Sequence, residues 1–160
     1  MRLVLHELSN VHPVLPIDYH KFGGLALQRS GHVSPVIAPI VHNGEELEGS
    51  IEWAKQNMDF MDMIDSNRVT EDGAEAVAIA YVYSKAGWVA KRRLQKGESA
   101  DWLMVNNDSC LALEVSGTIS GDLTSRLSEK MKQVVRCSLP VEKLAVVVRF
   151  ETPSVLAASP

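Results

Sequence analysis

Cysteine is scarce in this sequence of 160 residues, which contains only Cys110 and Cys137. Two cysteines form neither a disulfide framework nor the paired clusters that ligate structural zinc. The five histidines are scattered and lack the short spacings of zinc ligands. These absences argue against a zinc-binding fold and against a small secreted domain stabilised by disulfides.

The sequence also lacks an excess of basic residues and a hydrophobic run long enough to cross a bilayer. Its 16 Lys and Arg against 20 Asp and Glu give a formal net charge of -4. This balance argues against a generic basic nucleic-acid coat, although it does not exclude a local basic patch. With no signal peptide either, we expect a cytoplasmic protein that has no membrane partner. The length and composition predict a single domain over 1–160 with a substantial core.

The strongest pattern in the sequence is a predicted β-hairpin over Ala100–Gly117. Two runs of Leu, Met, Val and Trp, which are typical of strands, flank a turn-forming Asn-Asn-Asp-Ser segment. A turn of two or four residues pairs Val105 with Cys110 and places Asp101 opposite Glu114. Because like charges so close together repel, we expect a divalent cation, a shared proton or a basic neighbour there.

The chemistry of this hairpin depends on its register. Alternation along the second strand puts Glu114 and Ser116 on one face, so two carboxylates and a hydroxyl would point to one place. A turn of three or five residues would shift the register by one and separate Asp101 from Glu114. The hairpin therefore has two interpretations, a metal site and a solvent-exposed surface.

A helix and a basic strand are predicted before the hairpin. Thr70 is a candidate N-cap for a largely apolar helix that ends at Gly87. The strand that follows, over 88–95, carries consecutive basic residues whose side chains contact phosphates or form a solvated edge. Alternation sends the first and third of them to one face of the strand. The three residues are Lys91, Arg92 and Arg93.

After the hairpin, the sequence predicts a second helix and a buried strand. An apolar stripe indicates a helix over 123–136, for which Asp122 or Ser120 is a candidate N-cap. Lys130 lies beside the stripe, where it reaches either the solvent or the sheet. The Lys143–Thr152 segment contains three consecutive valines, typical of a buried strand.

Residues 1–66 give weaker signals and are predicted to form a β-rich extension. A strand is expected over 2–8, and the Asn43–Gly44 dipeptide favours a tight hairpin turn. A short helix is predicted over 55–66. Its inward side chains would be Met58, Phe60 and Met61.

The order of helix, three strands, helix and strand over 70–152, with Asp101 on the second strand and Glu114 on the third, resembles the αβββαβ core of the PD-(D/E)XK nuclease-like superfamily. Three segments also resemble an uncharacterised bacterial family: T-E-D-G-A-E, A-D-W-L and L-E-V-S-G. This second resemblance does not indicate which activity the protein has. The expected fold class is therefore α/β, a restriction-endonuclease-like core with an N-terminal β-rich extension.

The superfamily resemblance implies a site for Mg²⁺ or Mn²⁺, in which the metal activates water and stabilises charge on a phosphate. Asp101 matches the strand aspartate of the motif and Glu114 matches its second acid. Glu75, or less closely Glu71, matches the acid that the first helix contributes. The implied metal ligands are therefore Asp101, Glu114 and Glu75.

The sequence departs from the motif at its lysine, because E-V-S places Ser116 where the family has lysine. A hydroxyl cannot supply the positive charge that orients a nucleophile and offsets anionic charge. Some members of the superfamily recruit this lysine from elsewhere. Lys130 is the first candidate here and Lys91 is the second.

Three functions are consistent with these patterns. The first is a Mg²⁺-dependent phosphodiesterase acting on DNA or RNA, with the Lys91–Arg93 strand contacting phosphates. The second is a catalytically silent, nuclease-like binding module in a bacterial multi-protein system such as phage defence, which the serine at the lysine position favours. The third is an interaction protein whose two acids are surface residues. The sequence leaves open whether a protein partner or a second copy of the chain takes part.

Overall fold

A mixed seven-stranded sheet with helices on both faces forms the body of the protein. The computed structural model describes the backbone of residues 1–160 and all side chains except those of Phe60 and Asp62. The strands are β1 (Arg2–Val4), β2 (Val36–Ile37), β3 (Ile40–His42), β4 (Glu45–Leu47), β5 (Ser50–Glu52), β6 (Val89–Arg93), β7 (Trp102–Asn106), β8 (Ser109–Thr118), β9 (Glu142–Arg149) and β10 (Ser154–Ala158). The α-helices are α1 (Leu8–Val11), α2 (Tyr19–Arg29), α3 (Ser66–Ala86) and α4 (Leu123–Val135), and 3-10 turns occupy Leu5–Glu7 and Met58–Met63.

The strand order of the large sheet is β4-β3-β10-β9-β8-β7-β6, and β1, β5 and β2 form a separate three-stranded sheet. Strands β6, β7 and β8 pair antiparallel in succession, and β9 runs parallel to β8. A parallel connection needs a crossover, which α4 provides between β8 and β9. The expected α/β class is confirmed at this level of helices and sheets.

Helices α3 and α4 cover opposite faces of the sheet, because side chains alternate along β8. Leu111, Leu113 and Val115 face the larger core, which contains the buried residues of α3. Ala112 faces the smaller core, into which α4 packs Val134. Glu114 and Ser116 share the alternation of Ala112 and therefore face α4.

The predicted register of the hairpin is confirmed. Val105 pairs with Cys110 and Trp102 pairs with Leu113, around a turn at Asn107–Asp108. The Asp101 N–H donates to the Leu113 carbonyl at 3.0 Å, which continues the pairing toward Glu114. Asn107 adopts a φ of +51°, a left-handed conformation that asparagine tolerates and that tight hairpin turns require.

The first long helix begins before the predicted N-cap, so the interpretation of Thr70 is wrong. Asp65 is the N-cap of α3, and its carboxylate accepts from the N–H groups of Asn67 and Arg68. Thr70 lies within the helix, where its hydroxyl donates to the Ser66 carbonyl at 3.0 Å, a bond that threonine makes in helix interiors. The predicted end is confirmed, since Gly87 caps the helix with a φ of +70°.

The prediction that residues 1–66 form a β-rich extension is incomplete. This segment also contains the helix α2, which packs along α3. The Gly23-Gly24 pair lowers the intrinsic helix propensity of this region. The two helices nevertheless pack closely, since a Cβ at Gly73 of α3 would lie 2.9 Å from the Phe22 carbonyl oxygen of α2. The Asn43–Gly44 hairpin is confirmed as β3–β4, which joins the large sheet.

Two further segments differ from the sequence-based expectation. The helix predicted over 55–66 is a 3-10 turn over Met58–Met63, whose Phe60 side chain lies outside the described set. Met58 is exposed and Met61 is partly buried. Strand β10 was not predicted, yet it lies between β3 and β9 in the large sheet. No α-helix in the described part of the chain has both the length and the apolar character needed to cross a membrane.

Gly117 holds α3 close to β8, and its replacement tests this contact. A Cβ at this position would overlap the Thr70 carbonyl oxygen and lie 2.9 Å from the Ala74 Cβ. We expect Gly117→Ala to lower the free energy of unfolding by at least ~2 kcal/mol, because both neighbours belong to a packed helix. Urea denaturation measures this change. The control Ser120→Ala, at an exposed position nearby, should unfold like the wild type; an equal loss in both variants would contradict the packing argument.

Candidate functional site

The candidate site lies where β8 continues beyond its partner strand β7. The pairing of β7 with β8 stops at Leu113, whereas β8 extends to Thr118. Two carboxylates accept the N–H groups exposed along this edge. Asp101 Oδ2 accepts from the Val115 N–H at 2.7 Å, and Glu71 Oε2 accepts from the Gly117 N–H at 3.1 Å. The gap between the strands is therefore closed by acidic side chains from β7 and α3.

Glu114 is the most deeply buried acid of the site, with only 1% of its surface exposed. Its Oε1 accepts from Lys130 Nζ of α4 at 2.6 Å. Its Oε2 is buried and has no hydrogen-bond partner among the residues that the structure describes. Of its two predicted positions, at the solvent or at the sheet, Lys130 therefore takes the one at the sheet, and it leaves one carboxylate oxygen available for a further ligand.

Burial dominates the protonation of the two facing acids. It raises the pKa of Asp101 to about 6, although the Val115 N–H opposes this shift. Burial and the negative charge of Asp101 raise the pKa of Glu114 to about 7, against the opposing effect of Lys130. Two ionised carboxylates in this space are costly, so the pair favours a bound proton or a bound cation.

Arg126 is a second cation at the site and was missed from the sequence. Its Nη1 donates to Ser116 Oγ at 2.9 Å and lies 3.4 Å from the Gly117 carbonyl oxygen. Arg126 precedes Lys130 by one helical turn, so both side chains leave α4 on one face. That four-residue spacing was the available signal. The position of the motif lysine thus carries a serine bound to an arginine.

Glu75, the predicted third metal ligand, points into a different cluster, which corrects its expected position. Arg93 Nη1 and Nη2 donate to its two carboxylate oxygens at 3.2 and 2.6 Å. Trp102 Nε1 donates to Glu75 Oε2 at 2.7 Å, and the Tyr19 hydroxyl donates to the same oxygen. This buried carboxylate is therefore neutralised and fully hydrogen-bonded by other side chains.

No group of three or more His, Cys, Asp and Glu side chains is placed to hold a metal ion within the described part of the chain. The three-acid set predicted from the sequence accordingly does not assemble around Asp101, Glu114 and Glu75. What remains is a pair of carboxylates, of which Glu114 has an unpaired buried oxygen. Such a pair suits Mg²⁺, because this ion commonly uses one or two protein carboxylates and takes its other ligands from water and phosphate.

The basic residues of β6 do not form one continuous stripe. A register shift between Ala90 and Arg92 breaks the alternation at Lys91. Both Arg92 nitrogens donate to Glu98 at 2.8–2.9 Å, and Arg93 is paired with Glu75. Because the bulge changes which face each side chain occupies, the predicted shared face of Lys91 and Arg93 is wrong. β6 is an edge strand of the large sheet.

Comparisons of the chain with protein-family models, with curated proteins and with solved structures gave no match in any of the three. The chemistry of the site therefore has to be argued from its own residues.

The raised pKa of Glu114 predicts an unusual pH dependence of stability. In the unfolded chain the group ionises near 4.5, whereas in the folded protein it ionises at about 7. The folded state therefore binds more protons between these values, and the stability present below the lower value is lost as pH rises. We expect the unfolding free energy of the wild type, relative to Glu114→Gln, to fall by up to ~3 kcal/mol between about pH 5 and pH 7.

Urea denaturation across this pH range measures the difference. Subtracting the variant removes the contribution of buried histidines such as His12, whose pKa is lowered to about 4 and which acts in the opposite direction. Glu98→Gln is a matched control, because the pKa of Glu98 is lowered to about 2 and the group stays ionised over the whole range. A flat difference between wild type and Glu114→Gln would contradict the prediction.

Proposed function

We propose that this protein is a Mg²⁺- or Mn²⁺-dependent phosphodiesterase with a PD-(D/E)XK-like core, acting on a nucleic acid. The observation that carries the proposal is the set of contacts of buried Glu114, which has Lys130 on one carboxylate oxygen and no hydrogen-bond partner on the other among the described residues. Asp101 lies close enough for its negative charge to raise the pKa of Glu114. The order of α3, β6, β7, β8, α4 and β9, with β9 parallel to β8, supports the restriction-endonuclease-like core. Asp101 directly precedes β7 and Glu114 lies on β8, which supports the match to the two strand acids of the motif.

Asp101 and Glu114 are the residues that would hold the metal. Their fit rests on the buried Glu114 Oε2, which has no hydrogen-bond partner among the described residues, and on the burial that raises the pKa of both carboxyls. A bound cation would offset the cost of ionising them in this place. When bound, the ion would activate water and stabilise charge on the phosphate. Metal binding would then displace the protons that burial retains on this pair.

Lys130 and Arg126 are the proposed substitutes for the motif lysine. Lys130 Nζ holds a positive charge against Glu114, where anionic charge on a phosphate would be offset. Arg126 donates to the hydroxyl of Ser116, which lies two residues after Glu114 on β8. The planar guanidinium of Arg126 suits phosphate oxygens. The serine thus serves as an anchor for a cation that α4 supplies.

A catalytically silent binding module is the second candidate, and one observation favours it. Glu75 is held by Arg93, Tyr19 and Trp102, so the helical acid that the resemblance matches first is not free to bind a metal. A two-carboxylate site binds an ion more weakly than a three-carboxylate site. In this reading the chain binds a nucleic acid or a protein without cleaving it.

Metal binding should depend on both facing acids. We expect calorimetric titration with Mn²⁺ at about pH 8 to detect uptake by the wild type and at least tenfold weaker uptake by Asp101→Asn and Glu114→Gln, because each variant removes half of the ligand charge. Glu98→Gln removes a carboxylate outside the site and should titrate like the wild type. An absence of uptake by the wild type would leave only the binding-module candidate.

Lys130 should affect cleavage more than metal binding. We expect Lys130→Met to keep Mn²⁺ uptake and to lower the cleavage rate of mixed single- and double-stranded nucleic acids by at least ~100-fold, since it removes charge stabilisation of the reacting phosphate. Lys132→Met is the matched control, because it removes a lysine of the same helix that lies in its last turn. Equal rates in the two variants would contradict the role given to Lys130.

A further inference from the structure

A cavity of about 370 Å³ opens on the α3 side of the sheet, the face opposite to the one on which Glu114 meets Lys130. Its size falls within the usual range of ligand pockets, roughly 300–1,000 Å³. Trp102, which directly follows Asp101, forms part of its wall. The other side chains that matter here are Tyr19, Phe22, Arg68, Asp72 and Arg93.

Two guanidinium groups lie over aromatic rings in this wall. The Arg93 guanidinium carbon is 4.6 Å from the centre of the Trp102 ring, and that of Arg68 is 5.7 Å from the Phe22 ring. The side chains of Arg93 and Arg68 nevertheless remain 47% and 68% exposed. Each arginine is therefore supported on one side by an aromatic ring and accessible from the cavity.

The charges of both arginines are already compensated inside the protein. Arg93 is paired with Glu75 at 2.6 Å and Arg68 with Asp72 at 3.2 Å. An anion would have to compete with these carboxylates, whereas a flat neutral ring would not. The cavity consequently offers planar stacking surfaces and a carboxylate acceptor rather than a free positive charge, and this chemistry suits a nucleobase better than a phosphate.

We propose that this cavity receives one unpaired nucleobase of a single-stranded nucleic acid, stacked on the Arg68 and Arg93 guanidinium groups. A base within a duplex is covered by its neighbours and cannot enter such a cavity without being unstacked. The proposal rests on the proposed function in taking a nucleic acid as the ligand, and it adds the strandedness of that ligand. A bound base would bring the adjoining phosphodiester to the Asp101 end of β7.

The test is fluorescence anisotropy with a short labelled single-stranded DNA of mixed sequence and with the corresponding duplex. EDTA is present, so that binding is measured apart from metal chemistry. We expect the wild type to prefer the single strand, and Arg68→Gln to weaken single-strand binding by at least about fivefold, because stacking on one base is lost. Phe22→Ala, which removes the support beneath Arg68, should weaken it as well.

Arg2→Gln is the matched control, because it removes the same charge from another exposed arginine that is paired with a carboxylate, Glu52, and does not line the cavity. Equal weakening by Arg2→Gln and Arg68→Gln, no binding of the single strand, or preference for the duplex would each overturn the proposal. Mn²⁺ titration of Arg68→Gln separates the two hypotheses. Metal uptake together with Arg68-independent DNA binding refutes the cavity proposal alone, whereas Arg68-dependent binding without metal uptake refutes only the metal-dependent phosphodiesterase.

Discussion

The site depends on one constraint, the unequal length of the two strands in the central hairpin. Beyond Leu113, strand β8 has no strand beside it on the β7 side, and its N–H groups still require acceptors. Asp101 and Glu71 supply them, so satisfying the backbone brings acids to the place where the sheet splits. The gap between the two strands and the negative charge beside it therefore have the same structural cause.

Four acids lie around this end of the sheet without converging on one point, and their partners give them different properties. Asp101 and Glu71 accept from backbone N–H groups, Glu75 is neutralised by Arg93, and Glu114 is bound by Lys130 through only one of its two oxygens among the described residues. Removing Arg93 would leave the buried Glu75 carboxylate without its cation, which is costly. Glu114 is therefore the acid at which added charge or a proton has the largest effect.

Sequence reasoning succeeded where local rules decide the outcome and failed where distant segments do. Turn chemistry favoured the hairpin at Asn107–Asp108, and the predicted register with an even-numbered turn is the one observed. Helix periodicity placed Lys130 beside the apolar stripe but left open whether it reaches the solvent or the sheet. The partners of Glu75 could not be predicted. Arg93 is positioned by a bulge in β6, and Tyr19 by α2, whose glycine pair lowers the helix propensity of that segment. Arg126 was within reach, because it lies one turn before Lys130 on the same face.

Strand β10 is the last strand to be synthesised, yet it lies inside the large sheet and not at its edge. It lies between β3 and β9, so the β3–β4 hairpin finds its place only when residues 154–158 are available. At ribosomal speeds, the wait between these segments is roughly 5–20 s. A nascent chain therefore carries the β3–β4 hairpin without its neighbour for seconds. In this interval the unpaired edge of β3 is open to other strands or to chaperones.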